Sequence, residues 1–243
     1  MQGFVDLHAH ILFGTDDGAK NPGMMRTMLD TAYETGTRVL CATPHYHPGF
    51  FGETGAPALA AFAILEEYAR ECPGMQVFLG NELRYAPGCI SWLDSGACRT
   101  LGGSRFVLVD FSAGEEERVI LRGLKELLSA GYRPVLAHVE RYRRLRSRSV
   151  SDLVSDGVLL SVDADSLFGK AGLRAKWRGY AMLKEQQVAL VASDMHDVKC
   201  RPPVLLAAYR AVCKCCGTAY ADAVFRENPL RIIMSGKERE KNE

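Results

Sequence analysis

Short runs of β-branched, aromatic and aliphatic residues recur along the chain, at residues 4–7, 38–42, 76–79, 105–109, 134–137, 158–162 and 188–192, and they predict seven strands. Segments of helical composition separate them, at residues 24–34, 58–71, 115–130, 149–156 and 174–185, and Gly36, Gly131 and Gly157 stand where a helix C-terminus needs a residue with positive φ. Strand and helix therefore alternate. Phe106-Val107-Leu108-Val109 and Val188-Ala189-Leu190-Val191-Ala192 are apolar without interruption, which suits parallel strands covered by helices better than a half-wet antiparallel sheet. Polar clusters follow the strands: Asp6-Leu7-His8-Ala9-His10, Thr43-Pro44-His45, Glu82, Asp110, His138 and Ser193-Asp194-Met195-His196. Contributions from six strand ends to one place favour a closed barrel with its site at the C-terminal ends of the strands over an open sheet with one crevice. Residues 202–230 read as helices that close the fold. No linker, repeat or low-complexity tract divides residues 1–243, so one domain is expected, with 235–243 as a frayed polar tail.

Composition narrows the function classes. The chain has 243 residues, 47% hydrophobic and 24% charged, and its 30 basic and 29 acidic side chains leave a net charge of +1. That balance argues against nucleic-acid coating or membrane adhesion driven by charge. The first residues lack the basic start and apolar run of a secretory signal, and no stretch has the length and purity of a membrane span. The eight cysteines, at 41, 72, 89, 98, 200, 213, 215 and 216, follow neither a disulfide scaffold nor a zinc-finger spacing. Reduced thiols in a cytoplasm are expected, with Cys213, Cys215 and Cys216 read as small hydrophobes ahead of any metal or redox role.

Histidine placement is the sharpest chemical signal. All six histidines, at 8, 10, 45, 47, 138 and 196, fall near predicted strand ends beside acids or other histidines. Alternation along a strand sends i and i+2 to one face, so His8 with His10, and Asp194 with His196, can each ligate one ion together. A lone histidine is more often a hydrogen-bonded core or surface residue, but six such placements need a joint explanation. Asp16-Asp17-Gly18 adds carboxylates in a loop able to fold over the first strand end, although Asp-Asp-Gly alone is also simply a good turn. Glu82 and Asp110 end apolar runs, where a buried acid needs a cation or hydrogen bonds. Four or five imidazoles and as many carboxylates exceed the needs of one ion. The donor set therefore implies two or more first-row divalent ions, Zn, Fe or Mn rather than Mg or Ca.

These residues carry a strong resemblance. Asp6-Leu7-His8-Ala9-His10, Asp16-Asp17-Gly18, Ala42-Thr43-Pro44-His45, Gly80-Asn81-Glu82, Val109-Asp110-Phe111-Ser112, Leu136-Ala137-His138-Val139-Glu140-Arg141-Tyr142 and Ala192-Ser193-Asp194-Met195-His196 with Arg201-Pro202-Pro203 resemble the polymerase and histidinol phosphatase (PHP) superfamily. Within it, His-Val-Glu-Arg-Tyr and Ser-Asp-Met-His with Arg-Pro-Pro resemble the manganese-dependent bacterial protein-tyrosine phosphatases of capsule and exopolysaccharide synthesis. The resemblance implies an α/β fold, a distorted (β/α)7 TIM-like barrel. It implies two or three divalent ions, Mn or else Fe or Zn, held by His8, His10, Asp17, His45, Glu82, Asp110, His138, Asp194 and His196, with Arg141 and Arg201 near the phosphate and Asp194 and His196 also serving the chemistry. The family has glutamate where this chain has Asp110, and its Gln-x-Asn appears here as Ser161-Val162-Asp163. His47 lies outside the implied ligand set.

The chemistry that fits is phosphomonoester hydrolysis by metal-activated hydroxide, with Arg141 and Arg201 gripping phosphate oxygens. The bland alternative for Arg141 is a surface salt bridge with Glu140, and for Arg201 a C-terminal strand-loop contact. No cysteine is followed six residues later by arginine, which excludes the cysteine-dependent tyrosine phosphatase loop, and no P-loop or Gly-x-Gly-x-x-Gly element occurs. The basic run Arg141, Arg143, Arg144, Arg146 and Arg148 would set positive charge around the mouth for an acidic peptide, unless it is a solvated loop. Resemblance implies as partner the phosphotyrosine-bearing tail of a bacterial tyrosine kinase, with neither nucleic acid nor stable membrane insertion, and leaves open whether the chain forms a homo-oligomer. Residues 46–57 and 85–103 are the only long rims, so an open site is expected. The competing readings are a small-molecule phosphomonoesterase such as a histidinol-phosphate phosphatase, a phosphodiesterase or exonuclease, and a non-enzymatic metal-binding regulator.

Overall fold

The computed structural model describes residues 3–51 and 55–240. Among them all seven expected strands are present as parts of nine: β1 (Phe4–Ala9), β2 (Thr37–Ala42), β3 (His45–Tyr46), β4 (Gln76–Leu79), β5 (Glu82–Arg84), β6 (Phe106–Asp110), β7 (Arg133–Leu136), β8 (Leu159–Asp163) and β9 (Leu190–Ala192). Every pairing is parallel. One sheet runs β1-β2-β4 and the other β3-β5-β6-β7-β8-β9. The two strands not foreseen are continuations: β3 resumes β2 after Thr43-Pro44, and β5 resumes β4 after Gly80-Asn81. Pro44 offers no N–H to a ladder, and Asn81 repairs both breaks, its Nδ2 donating to the Pro44 carbonyl (3.0 Å) and its Oδ1 accepting from Arg99 N–H (2.8 Å).

The curled sheet then meets itself. Asp194 N–H donates to the His8 carbonyl (2.9 Å), His10 N–H to the Met195 carbonyl (2.9 Å), and Ala9 and Met195 form a parallel bridge. The buried carboxylate of Asp6 accepts Ser193 N–H at 3.1 Å and fastens the same seam. Counted with their continuations, seven parallel strands form a distorted barrel, as expected.

Helices α1 (Pro22–Glu34), α2 (Ala56–Arg70), α3 (Cys89–Asp94), α4 (Glu117–Ser129), α5 (Ser147–Ser155), α6 (Leu173–Lys184), α7 (Leu205–Cys216), α8 (Thr218–Asp222) and α9 (Asn228–Glu240) accompany the strands, with a π-helical turn over residues 223–227 before α9. Asn21 caps α1, its Oδ1 accepting Met24 N–H at 2.9 Å. Ile120, Gly123, Leu124 and Leu127 recur at helical spacing and form the buried face of α4. Gly36, Gly131 and Gly157 have φ of 103°, 83° and 88°, as their places after helices require.

Inward-facing Val5, Leu7, Val39, Cys41, Leu108, Val135, Ala137, Leu190 and Ala192 form one apolar cluster with Ile232 and Ile233 of α9. The end expected to fray is helical to Glu240, and residues 241–243 lie outside the described residues. All eight cysteines are free thiols; Cys213 and Cys216 are half-buried and pack against the main core. Among the described residues no helix is long and apolar enough to cross a membrane.

Gly236 is the contact by which α9 sits down, because a Cβ there would strike the Gly102 carbonyl oxygen. Replacing a helical glycine by alanine is ordinarily worth up to about 1 kcal/mol of stability. At this position the clash is with backbone and wins: Gly236→Ala is expected to destabilise by about 1–3 kcal/mol, read as a lower urea midpoint.

Candidate metal centre

The pleat of β1 places His8 and His10 side by side with no exposure, their Nε2 atoms 3.1 Å apart. Both nitrogens also face Glu82 Oε2 (3.3 Å each) and Asp194 Oδ1 (3.3 and 3.4 Å). Donor atoms held about 2.1 Å from one ion stand about 3.0–3.4 Å from each other in octahedral or tetrahedral geometry, so this donor set fits a divalent cation. His45 Nδ1 approaches Glu82 Oε2 at 2.8 Å, and His138 Nε2 lies 2.9 Å from Glu82 Oε1. Asp17 Oδ1 lies 3.5 Å from His45 Nε2 and 3.4 Å from His196 Nε2. Three sets of donors result, each within 4.8 Å internally: His10, Asp17, His45 and His196; His8, His10 and Glu82; and Glu82, Asp110 and His138.

Charge and burial compete throughout. Burial alone would raise the Glu82 and Asp194 carboxyls, yet the neighbouring imidazoles, His8 first, hold both well below the carboxylate range. Burial lowers His138, making its neutral, metal-binding form the favoured one. For His10 burial pulls down, but the Asp16 carboxylate and its neighbours prevail and raise the pKa well above its ordinary value. Two non-glycine residues here, His138 (φ 35°) and Asp194 (φ 51°), occupy the left-handed region, a strain on the order of 1 kcal/mol each that the strand ends impose.

On the far side, Arg141 Nη2 meets Asp163 Oδ2 (2.5 Å), Asp194 Oδ2 (3.1 Å) and Asp165 Oδ1 (3.6 Å), and Arg201 donates to Asp194 Oδ2. Glu140 is only a marginal partner of Arg141, at 3.8 Å; burial pushes its own carboxyl up to about 7. Ligands and arginines line one cavity of about 190 Å³.

A family model for capsular polysaccharide synthesis, CpsB/CapC, matches residues 4–234. The chain belongs to the CpsB/CapC family. Among its relatives, the tyrosine-protein phosphatase CpsB of Streptococcus pneumoniae is 32% identical over 238 residues, covering 95% of this chain and 98% of the relative. The tyrosine-protein phosphatase YwqE of Bacillus subtilis is 30% identical over 200 residues, 81% of this chain and 79% of the relative. A solved structure from work on YwqE and CpsB, described as unique metal-dependent tyrosine phosphatases, matches with a TM-score of 0.86 at 27% identity, covering 95% of this chain and 94% of the other.

In this CpsB/CapC chain every residue expected on sequence grounds to bind metal reaches the cluster, and Arg141 and Arg201 face it. His47 does not join them: its ring stacks on Phe50 (centroids 4.6 Å apart), in the rim with Tyr46, Phe51 and Trp92. The basic run is less available than its sequence suggests, since Arg146 pairs with Glu117 at 2.6 Å and Arg144 lies 3.8 Å from Glu116.

One participant, Arg84, was not singled out from sequence, and another, Asp16, was named only as a loop carboxylate. Arg84 forks onto Asp110, with Nε to Oδ1 at 2.9 Å and Nη2 to Oδ2 at 2.7 Å; its place two residues after Glu82 in a strand was the available clue. Burial and the Glu82 charge push the Asp110 carboxyl well up, and Arg84 works against both. Asp16 turns inward, bonding His10 Nδ1 (2.7 Å) and accepting the backbone N–H of Gly18 and of His45 (2.9 Å each).

Asp16 thereby holds the His10 Nδ1 proton, so that the neutral, metal-binding ring would present its Nε2 lone pair to the cluster, an orienting role that conventionally carries 10–100-fold in affinity. Asp16→Ala is expected to weaken divalent-metal binding by about that factor with the far-UV CD spectrum preserved, measured by titration calorimetry.

Proposed function

We propose that this chain is a metal-dependent protein-tyrosine phosphatase acting on the phosphotyrosine tail of a bacterial tyrosine kinase in polysaccharide synthesis, with manganese as the resident metal. One observation carries the reading: three sets of imidazole and carboxylate donors face two arginines across a single cavity. His8, His10, Asp17, His45, Glu82, Asp110, His138, Asp194 and His196 would hold the ions. When bound, these lower the pKa of water to supply a nucleophile at neutral pH and neutralise phosphate oxygens. The guanidinium forks of Arg141 and Arg201 suit the non-bridging oxygens of a phosphoryl group and the charge that grows there during displacement. Both arginines sit within reach of Asp194, which orients them toward the ligand cluster.

The rim favours an aryl phosphate on a peptide over histidinol phosphate. The Phe51 ring stacks on His45 at 4.7 Å and 15°, and a second, aromatic cavity of about 530 Å³ lined by Tyr46, His47, Phe50, Phe51 and Trp92 adjoins the site. Such a wall offers stacking to a tyrosyl ring and room for flanking residues. Hydrolysis of a phosphotyrosine peptide and of histidinol phosphate by Mn²⁺-loaded protein decides between them: a higher kcat/KM on the peptide is expected, and the reverse order would move the assignment to the small-molecule enzyme. His8→Ala is expected to lower kcat/KM on the order of 10³-fold with the fold retained, whereas undiminished activity would leave the non-enzymatic regulator standing.

The metal also has to displace the His10 proton. Because the pKa of His10 in the metal-free protein is raised, more protein carries that proton as pH falls. Mn²⁺ affinity should therefore drop with falling pH, about tenfold per unit for each proton displaced, seen as proton release in calorimetry run in buffers of different ionisation heat.

A further inference from the structure

The third donor set differs from the other two in already having a cation. Glu82, Asp110 and His138 bring their donor atoms within 4.8 Å of one another, but both Asp110 oxygens are engaged by Arg84. The fork is braced, since Arg84 Nη1 reaches Ser112 Oγ at 3.3 Å, and the carboxylate is 2% exposed, so water does not compete for it. An ion at this position would have the outer lone pairs of Asp110, the Glu82 Oε1 that His138 already approaches, and His138 itself. Asp110 is also short. Its carboxylate cannot advance toward Glu82 without pulling off the guanidinium, because both are anchored to neighbouring strands in register, Arg84 opposite Asp110.

We infer that Arg84 is a built-in cation at the Glu82–Asp110–His138 position, so that the chain holds two divalent ions tightly and the third only weakly. Arg84 lines the same cavity as Arg141 and Arg201 and adds a fixed positive charge to it. The inference rests on the metal-ligand assignment proposed above but not on the reaction, and it is read without any substrate.

The test is metal stoichiometry. Chelator-stripped full-length protein is titrated with Mn²⁺ by calorimetry, and the reloaded, desalted protein is analysed for bound manganese. Wild type is expected to retain two ions, with a third at least about 10–100-fold weaker. Arg84→Met leaves the Asp110 carboxylate free and is expected to bring the third ion into the tight class. Arg84→Lys replaces the fork by a point charge and should fall between. Three equally tight ions in wild type, or two in wild type and both variants alike, would overturn the role of Arg84 and leave the metal centre intact. No tightly bound manganese in wild type would overturn the metal centre and with it this inference. If Arg84→Met fails to fold by CD, the wild-type stoichiometry and Arg84→Lys decide.

Discussion

A single carboxylate organises the site. Glu82 is 1% exposed, and its two oxygens lie within 3.3 Å of His8, His10, His45 and His138. A buried anion is tolerable only among cations or strong donors, and four imidazoles from three strand ends, His8 and His10 at β1, His45 at β3 and His138 after β7, are what this barrel supplies. The strand break before Glu82 makes this convergence possible. At Gly80 a Cβ would press on the Thr100 carbonyl at 3.2 Å and Cys41 Sγ at 3.3 Å, so any larger residue there must push its neighbours aside, and Asn81 then ties the turn to Pro44 and Arg99. Residues 78, 80 and 82 share the inner face of the strand, and after the interruption Glu82 enters the cluster from it.

Closure of the barrel supplies the opposite wall. The seam between β1 and the residues after β9 passes through His8, His10, Asp194 and Met195, so the same backbone bonds that complete the fold also set the ligand spacing. Residues of that seam, His8 of the first strand and Asp194 after the last, would hold metal together, so metal binding would be coupled to barrel stability. The left-handed backbone at His138 and Asp194 lies at the two strand ends where a side chain must turn back into the cluster.

Much of this was legible in the sequence. Seven strands and the barrel could be read because parallel strands are apolar throughout and polar clusters mark their ends, whereas the nine proposed ligands were implied by the resemblance of the motifs in those clusters to a known family. What escaped is instructive in each case. β3 and β5 are two and three residues long, too short for any periodicity to show. Asp16 and Asp17 are adjacent acids in a turn, and nothing in their order reveals that the first faces inward to orient His10 while the second, half-exposed, faces His45 and His196. Arg84 looked like any strand arginine until its register with Asp110 was known. That Arg144 and Arg146 of the basic run lie near Glu116 and Glu117 could not be read, because those glutamates are distant in sequence.

Asp194 joins the two halves of the chemistry. One oxygen faces His8 and His10, and the other is shared by Arg141 and Arg201. If Arg141 and Arg201 bind phosphate as proposed, an incoming phosphate dianion would have to compete with Asp194 and Asp163 for their guanidinium groups. A cation on the His8 side would draw charge from the same carboxylate and weaken its hold on the arginines. Metal and phosphate binding would then be positively linked through one side chain rather than independent.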